Sequence, residues 1–111
     1  MKPDQYVQLA MRSLRENPSH HFQLNHALHG LASEVGEIAD TIKKHIIYEQ
    51  PLDRNNIQEE IGDLLWYVAL LCYCNNISLE VAMEQNIEKL QKRYPEKFTP
   101  ELAAARLDKN A

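Results

Sequence analysis

The chain has 111 residues, of which 44% are hydrophobic and 25% are charged, a composition that fits one domain with a modest core. The formal net charge of -4 argues against nonspecific binding to nucleic acid. The first residues lack the order of a signal peptide, and the longest apolar run, residues 64–74, is too short to span a membrane. We therefore expect a soluble, cytoplasmic domain without membrane or nucleic-acid partners.

Hydrophobic spacing predicts an all-α fold with four main helices and no strand. The first helix is expected near residues 4–17, because Pro18 interrupts it. The second is expected from Ser19 or Phe22 to Ile46, where apolar residues recur at intervals of three or four. This stripe predicts one well-defined packing face.

Capping residues mark the two helices that follow. Asp53 is a suitable N-cap for a third helix over residues 54–74, and Ser78 is suitable for a fourth that ends near Tyr94, ahead of Pro95. The third helix is apolar on opposite sides, which indicates burial nearly all round. The tail, residues 99–111, is expected to be peripheral, with only a short helical stretch.

Two acidic motifs, Glu34-x-x-Glu37 and Glu60-x-x-Asp63, are separated by 22 residues. Residues three apart lie on one helix face, so each motif can aim two carboxylates at a common point. Glu37 lies about 14 Å before the end of its helix and Glu60 about 9 Å after the start of the next, so an antiparallel hairpin would place them level. Four converging carboxylates need a cation, and oxygen donors alone suit Mg²⁺ or Mn²⁺ better than Zn²⁺.

The acidic motifs also have a structural explanation. This spacing is common on solvated helix faces, and carboxylates near a helix start are favoured by the helix dipole. Glu59 lies about 100° from Glu60 around the helix. It either joins the site, hydrogen-bonds a water ligand or is structural.

The histidines allow two interpretations, and the glycines suggest close packing. His26 and His29 can share a helix face as a transition-metal pair, but no third nitrogen or sulfur ligand stands at an evident spacing. His29 is better interpreted as a wall of a substrate pocket, one to two turns before Glu34. Each glycine inside a helix costs about 1 kcal/mol relative to Ala, which close helix packing beside the site would explain. These glycines are Gly30, Gly36 and Gly62.

Three blocks of sequence together resemble a known family. They read HGLASEVGEIADTIKK, EEIGDLLWYV and NIEKLQKRYPEKF, in this order. The chain resembles the MazG-like members of the all-α nucleoside triphosphate pyrophosphohydrolases over residues 22–98. The resemblance implies one domain over residues 1–111, a four-helix bundle-like fold, and assembly into a homodimer or homotetramer.

The resemblance also implies an activity and a set of ligands. Members of this family use Mg²⁺ to cleave a nucleoside triphosphate between the α and β phosphates, which gives the monophosphate and pyrophosphate. Matched residue by residue, the metal ligands are Glu34, Glu37, Glu60 and Asp63. Glu37 or Glu34 is the candidate for the catalytic base.

The fourth helix adds groups of opposite charge. Asn86, Lys89 and Arg93 recur at intervals of three and four, so they can present an amide, an ammonium and a guanidinium to a polyphosphate. The alternative is a solvated basic helix end. Tyr94 and Trp66 can stack on the base or ribose of a nucleotide, or belong to the core.

The expected function is house-cleaning of nucleotide pools by hydrolysis of unwanted (deoxy)nucleoside triphosphates. A sibling alternative is a phosphoribosyl-ATP or dUTP pyrophosphatase, because related helical folds use similar carboxylate sets. A noncatalytic helical interaction module is the alternative from another class, in which a dimer interface explains the apolar third helix. Mg²⁺-dependent turnover distinguishes it from the enzymes.

Overall fold

The computed structural model describes residues 1–16 and 19–109. These residues form five α-helices and a 3-10 turn after the first helix, with no strand among them, so the all-α prediction is confirmed. The helices are α1 (Pro3–Ala10), α2 (His20–Ile46), α3 (Arg54–Cys74), α4 (Leu79–Arg93) and α5 (Pro100–Ala105).

Side-chain caps fix where the helices start. The Ser19 hydroxyl accepts a hydrogen bond from the Phe22 N–H at 3.0 Å, so α2 begins directly after Ser19. Asp53 and Ser78 cap α3 and α4 in the same way, as predicted. Each side-chain oxygen satisfies one backbone N–H that has no partner inside its helix.

The first helix is shorter than predicted. It ends at Ala10, and a 3-10 turn over Met11–Ser13 leads to an extended Leu14, while residues 17 and 18 lie outside the described residues. The Ala10 carbonyl accepts from the Trp66 Nε1 at 3.1 Å and from the Ser13 hydroxyl at 2.8 Å. A partner from α3 therefore takes the carbonyl that a further α-helical turn would use.

The principal packing is an antiparallel hairpin of α2 and α3. Near the connecting loop, the Asn56 amide donates to the Thr41 hydroxyl. At the open end, His20 Nε2 lies 3.1 Å from Asn75 Oδ1. Both ends of the hairpin are thereby fixed in register, which determines the residues that face each other between them.

Few side chains of the described residues are fully buried. Leu70 is the largest of them, and α4 contains none. Instead, α4 packs on α1 and α5. Within the described residues, no single helix is both long and apolar enough to cross a membrane, although α3 and α4 pass that test as a pair bent by 103°.

Candidate metal centre and aromatic cavity

Three carboxylates meet across the hairpin. Glu34 of α2 and Glu60 and Asp63 of α3 each offer an oxygen, and these oxygens lie within 4.8 Å of one another. Glu34 and Glu60 are half-buried and Asp63 is exposed. The hairpin register places Glu34 level with Asp63, and Glu60 lies one turn before Asp63 on the same helix. Three of the four carboxylates predicted as metal ligands therefore converge.

The fourth predicted carboxylate does not join them. Glu37 lies one turn beyond Glu34 on α2, is exposed, and is not among the three converging groups. Glu59 is likewise exposed and outside the cluster. Glu60 therefore belongs to the cluster, and its neighbour in sequence, Glu59, does not.

The electrostatics of the cluster suit a cation. A hydrogen bond with the Glu34 carboxyl, followed by burial and by the negative charges of Glu34 and Asp63, raises the pKa of Glu60. Glu34 Oε2 is buried and has no hydrogen-bond partner among the described residues. A divalent cation bound to oxygen ligands would relieve both the repulsion and the unpaired oxygen. The residues present therefore fit a hard metal ion.

A cavity of about 360 Å³ opens beside the carboxylates. Two of its lining residues, Glu34 and Asp63, belong to the cluster, and the other three are the aromatic side chains of His26, Trp66 and Tyr67. Their ring centroids lie 5.1 to 5.6 Å apart, in tilted or edge-to-face arrangements. The cavity therefore has one acidic end and one aromatic end.

Gly30 makes this arrangement possible. His26, Gly30 and Glu34 follow one another at intervals of four, so they share one face of α2. The Tyr67 ring lies against Gly30, where the Cβ of any other residue would overlap it. The absence of a side chain at Gly30 lets Tyr67 lie between the aromatic and acidic parts of the α2 face.

Trp66 is held in place from the N-terminal segment. Its Nε1 donates to the Ala10 carbonyl and to the Ser13 hydroxyl, the latter at 2.8 Å. Burial, with a smaller contribution from the negative charge of Asp63, raises the pKa of Tyr6 on α1. The N-terminal segment is thus both a support for the cavity wall and a neighbour of the carboxylates.

Two residues that line the cavity, His26 and Tyr67, were not predicted to do so from the sequence. The periodicity contained a signal for both of them. Tyr67 follows Asp63 by four residues and His26 precedes Glu34 by eight, so each shares a helix face with a predicted metal ligand. Trp66, which was predicted as a substrate contact, does line the cavity.

Two other predicted aromatic contacts lie elsewhere. His29 is exposed, does not line the cavity, and has its Nδ1 2.7 Å from the Asn25 carbonyl oxygen. The Tyr94 ring packs on Phe98, with centroids 5.3 Å apart. Neither ring is among those that line the cavity beside the carboxylates.

The predicted phosphate clamp lies on α4, which packs against α1 and α5. The Arg93 guanidinium forms a bidentate ion pair with Asp108, at 2.9 and 3.1 Å, and the Asp108 side chain is only 4% exposed. This hydrogen bonding lowers the pKa of Asp108. Asn86 and Lys89 line a separate hollow. Arg93 therefore anchors the C-terminal segment in this structure.

Comparison with known proteins connects this site to a family. A model of the MazG nucleotide pyrophosphohydrolase domain matches residues 22–98. The chain belongs to this family. The MazG segment contains all three converging carboxylates and all three aromatic residues of the cavity.

One relative has no activity in its name. The MazG chain is 35% identical over 74 residues to the "Gene 37 protein" of Mycobacterium phage L5. This match covers 63% of the chain and 65% of the phage protein. No solved structure matches the chain. The family is therefore the comparison that bears on function.

Proposed function

We propose that this MazG domain hydrolyses (deoxy)nucleoside triphosphates between the α and β phosphates and releases the monophosphate and pyrophosphate. The observation that carries the proposal is the convergence of Glu34, Glu60 and Asp63 within 4.8 Å, with one buried Glu34 oxygen unpaired. The adjoining aromatic cavity offers a place for the nucleoside. Membership of the MazG family supports the class of reaction.

The proposed cofactor is Mg²⁺, for which Mn²⁺ can substitute. Glu34, Glu60 and Asp63 would hold it, and Glu37 is the nearest further carboxylate on α2. When bound, the ion would neutralise charge on the triphosphate and on the transition state. The carboxylates would fix its position and orient water by hydrogen bonds.

The proposed hydrolysis consumes one water molecule and needs no other co-reactant. The oxygen of a water molecule forms a bond to the α phosphorus, and the bond from that phosphorus to the α–β bridging oxygen breaks. Pyrophosphate leaves with the electron pair, and the proton of the water passes to a carboxylate. Glu37 and Glu34 are the candidates for that base.

The nucleoside would enter the aromatic end of the cavity. Trp66 and Tyr67 present ring surfaces there, and the anchored Trp66 indole forms a rigid wall. Flat aromatic walls suit a planar base, because stacking requires little reorganisation of the side chains. The acidic end would then lie on the side of the phosphates.

The proposed active form is a homodimer, or a homotetramer built from it. On α2, Leu28, Val35 and Ile42 recur every seven residues and remain 64%, 57% and 39% exposed. Such a seven-residue apolar stripe is typical of a helix that packs on another helix. Within one chain α4 packs on α1 and α5, and in the proposed dimer Asn86 and Lys89 would contact the triphosphate held by the second copy.

The proposed role is removal of unwanted nucleotides in the cytoplasm. The decisive experiment is a hydrolysis panel across standard and modified nucleoside triphosphates, with phosphoribosyl-ATP and dUTP included. Separation of pyrophosphate from phosphate identifies the bond that is cleaved. We expect monophosphate and pyrophosphate, with turnover abolished by a chelator.

Single-charge substitutions test the carboxylates directly. Glu34→Gln and Glu60→Gln keep the side-chain size but remove a metal ligand, so we expect turnover to fall by about 100-fold or more. Glu59→Gln is the matched control, because Glu59 is an exposed neighbour outside the cluster. Calorimetric titration with Mn²⁺ measures metal affinity separately. This affinity should fall in Glu34→Gln and Glu60→Gln but not in Glu59→Gln.

Other outcomes would change the assignment. Products of phosphate and diphosphate would show cleavage of a different bond. A complete lack of turnover with Mg²⁺ or Mn²⁺ would favour the noncatalytic interaction module. Equal effects of Glu59→Gln and Glu60→Gln would contradict the proposed metal centre.

A further inference from the structure

One polar ring in the aromatic end of the cavity has no hydrogen-bond partner among the described residues. His26 Nδ1 is buried and unpaired, and no hydrogen bond of the described residues uses its Nε2. A neutral imidazole carries one donor and one acceptor. Nδ1 is thus a buried polar atom without a partner in the described part of the protein, whereas Nε2 is not among the buried atoms.

The surroundings of His26 do not call for a histidine. Its ring packs on Phe22, Trp66 and Tyr67, with centroid distances of 5.9, 5.6 and 5.6 Å. A phenylalanine would make comparable ring contacts there without leaving a nitrogen unpaired. Because an unpaired buried polar atom destabilises a folded protein, Nδ1 of His26 is expected to serve a bound molecule.

The distance from His26 to the carboxylates indicates which part of a bound nucleotide His26 would contact. The eight residues from His26 to Glu34 correspond to about 12 Å along α2. That separation leaves room for a sugar between a base at His26 and phosphates at the cluster. The cavity of about 360 Å³ is at the small end of ligand sites, which suits a nucleoside rather than a whole triphosphate.

We infer that His26 is a specificity-determining residue that hydrogen-bonds the edge of the substrate base, while Trp66 and Tyr67 contact the base with their rings. This inference rests on the proposed function, since it assigns the aromatic end of the same cavity. The base must carry a hydrogen-bonding group on the edge that faces the imidazole. A base without that group leaves the nitrogen unpaired and binds more weakly.

The test uses binding as well as turnover. Trp66 is the only tryptophan of the chain, so quenching of its fluorescence reports occupation of the cavity by nucleosides or nucleoside monophosphates. His26→Phe keeps a ring but removes both nitrogens, and His26→Gln restores a donor and an acceptor without a ring. His21→Phe, at an exposed position in the first turn of α2, is the matched control.

We expect His26→Phe to weaken the binding of the preferred nucleoside monophosphate by about 3- to 10-fold, as the loss of one net hydrogen bond predicts. The same variant should flatten the ranking of bases in kcat/KM, whereas His26→Gln should restore part of the ranking. Binding of inorganic triphosphate with Mg²⁺ should not change. The control should retain the affinities and the ranking of the natural sequence.

The two proposals can fail separately. Base-selective binding that His26→Phe abolishes, without hydrolysis of any triphosphate, would support the inference and refute the proposed reaction. Hydrolysis with an unchanged base ranking in His26→Phe would refute the inference and leave the reaction intact. An absence of quenching by every monophosphate at millimolar concentration would also overturn the inference.

Discussion

Gly30 has the closest tertiary contact of the three glycines. The Tyr67 ring occupies the volume of a Cβ at Gly30, whereas nothing lies within 4 Å of a Cβ added at Gly36 or Gly62. Close helix packing therefore explains Gly30 and, within one chain, does not explain the other two. Tyr67 depends on this contact for its place between His26 and the carboxylates.

We predict that Gly30→Ala lowers the free energy of unfolding by about 1–3 kcal/mol, because the new methyl group forces Tyr67 to move. Gly36→Ala is the control, with an expected gain of up to about 1 kcal/mol from helix propensity. Urea unfolding at one fixed protein concentration measures both. Equal stability of the two variants would contradict the close contact.

The convergence of carboxylates across the hairpin could be predicted from the two acidic motifs, but the choice among the carboxylates could not. Periodicity gave both acidic motifs one face of a helix and a common level in the hairpin. Glu34 and Glu37 nevertheless differ by about 60° around α2 at 100° per residue. Which of them turns towards α3 depends on lateral packing, including the Gly30–Tyr67 contact, and this packing is absent from a single-helix pattern.

At the scale of elements, α1 and α4 are joined by one side chain. Asp4 accepts from the Ser78 hydroxyl at 2.7 Å and from the Glu80 N–H at 3.1 Å. Ser78 is itself the N-cap of α4. The start of α4 is thus capped twice, once by Ser78, the residue just before it, and once by the Asp4 carboxylate of α1.

This link should depend on pH. The Ser78 hydroxyl first, and then the Glu80 backbone N–H, hold the pKa of Asp4 below its ordinary value of 3.8. A lowered folded-state pKa adds stability above pH 3.8, and that stability disappears as the pH falls through the folded-state value. We predict that Asp4→Asn lowers the thermal midpoint near neutral pH and that its difference from the natural sequence shrinks below pH 3.8.

Thermal unfolding followed by circular dichroism across this pH range measures the effect. Ser78→Ala and the double variant complete a cycle that isolates the pair. If Asp4 and Ser78 act together, the two substitutions will be less than additive. A difference between Asp4→Asn and the natural sequence that stays constant with pH would refute the ionic contribution.

Predictability also differed between elements. The starts of α3 and α4 followed from Asp53 and Ser78, because a cap is a local signal. The end of α1 did not, because the Ala10 carbonyl is taken by Trp66, 56 residues away. A tertiary hydrogen bond of this kind overrides the local preference for another helical turn.

The whole chain is less compact than its length predicts. Its radius of gyration is 17.5 Å, whereas about 13 Å is expected for a compact domain of this length. Large apolar side chains remain exposed on α2, α3 and α4. The sequence-based expectation that α3 is buried nearly all round is not met within one chain. Only residues 69, 70 and 72 of this helix are buried, whereas Leu65, Leu71 and Tyr73 are 41%, 37% and 52% exposed.

We predict that a second copy covers the α2 stripe and that Val35→Glu shifts the protein towards monomer, because a buried carboxylate without a partner is unfavourable. Ile47→Glu is the matched control, since Ile47 is 63% exposed just after α2 and lies off the stripe. Light scattering coupled to size exclusion at micromolar concentration measures the mass. A monomeric natural sequence would refute the proposed assembly.

The Asp4–Ser78 hydrogen bond also sets an order of folding. It joins residues 74 positions apart, whereas the α2–α3 hairpin closes through a short loop between adjacent helices. Local contacts form early because they require little loop closure, so the hairpin can form while α1 still has no partner. During synthesis, α1 must wait until most of the chain has left the ribosome before it can dock on α4. The N-terminal segment is made first, yet its contact with α4 has to wait for Ser78, 74 residues later.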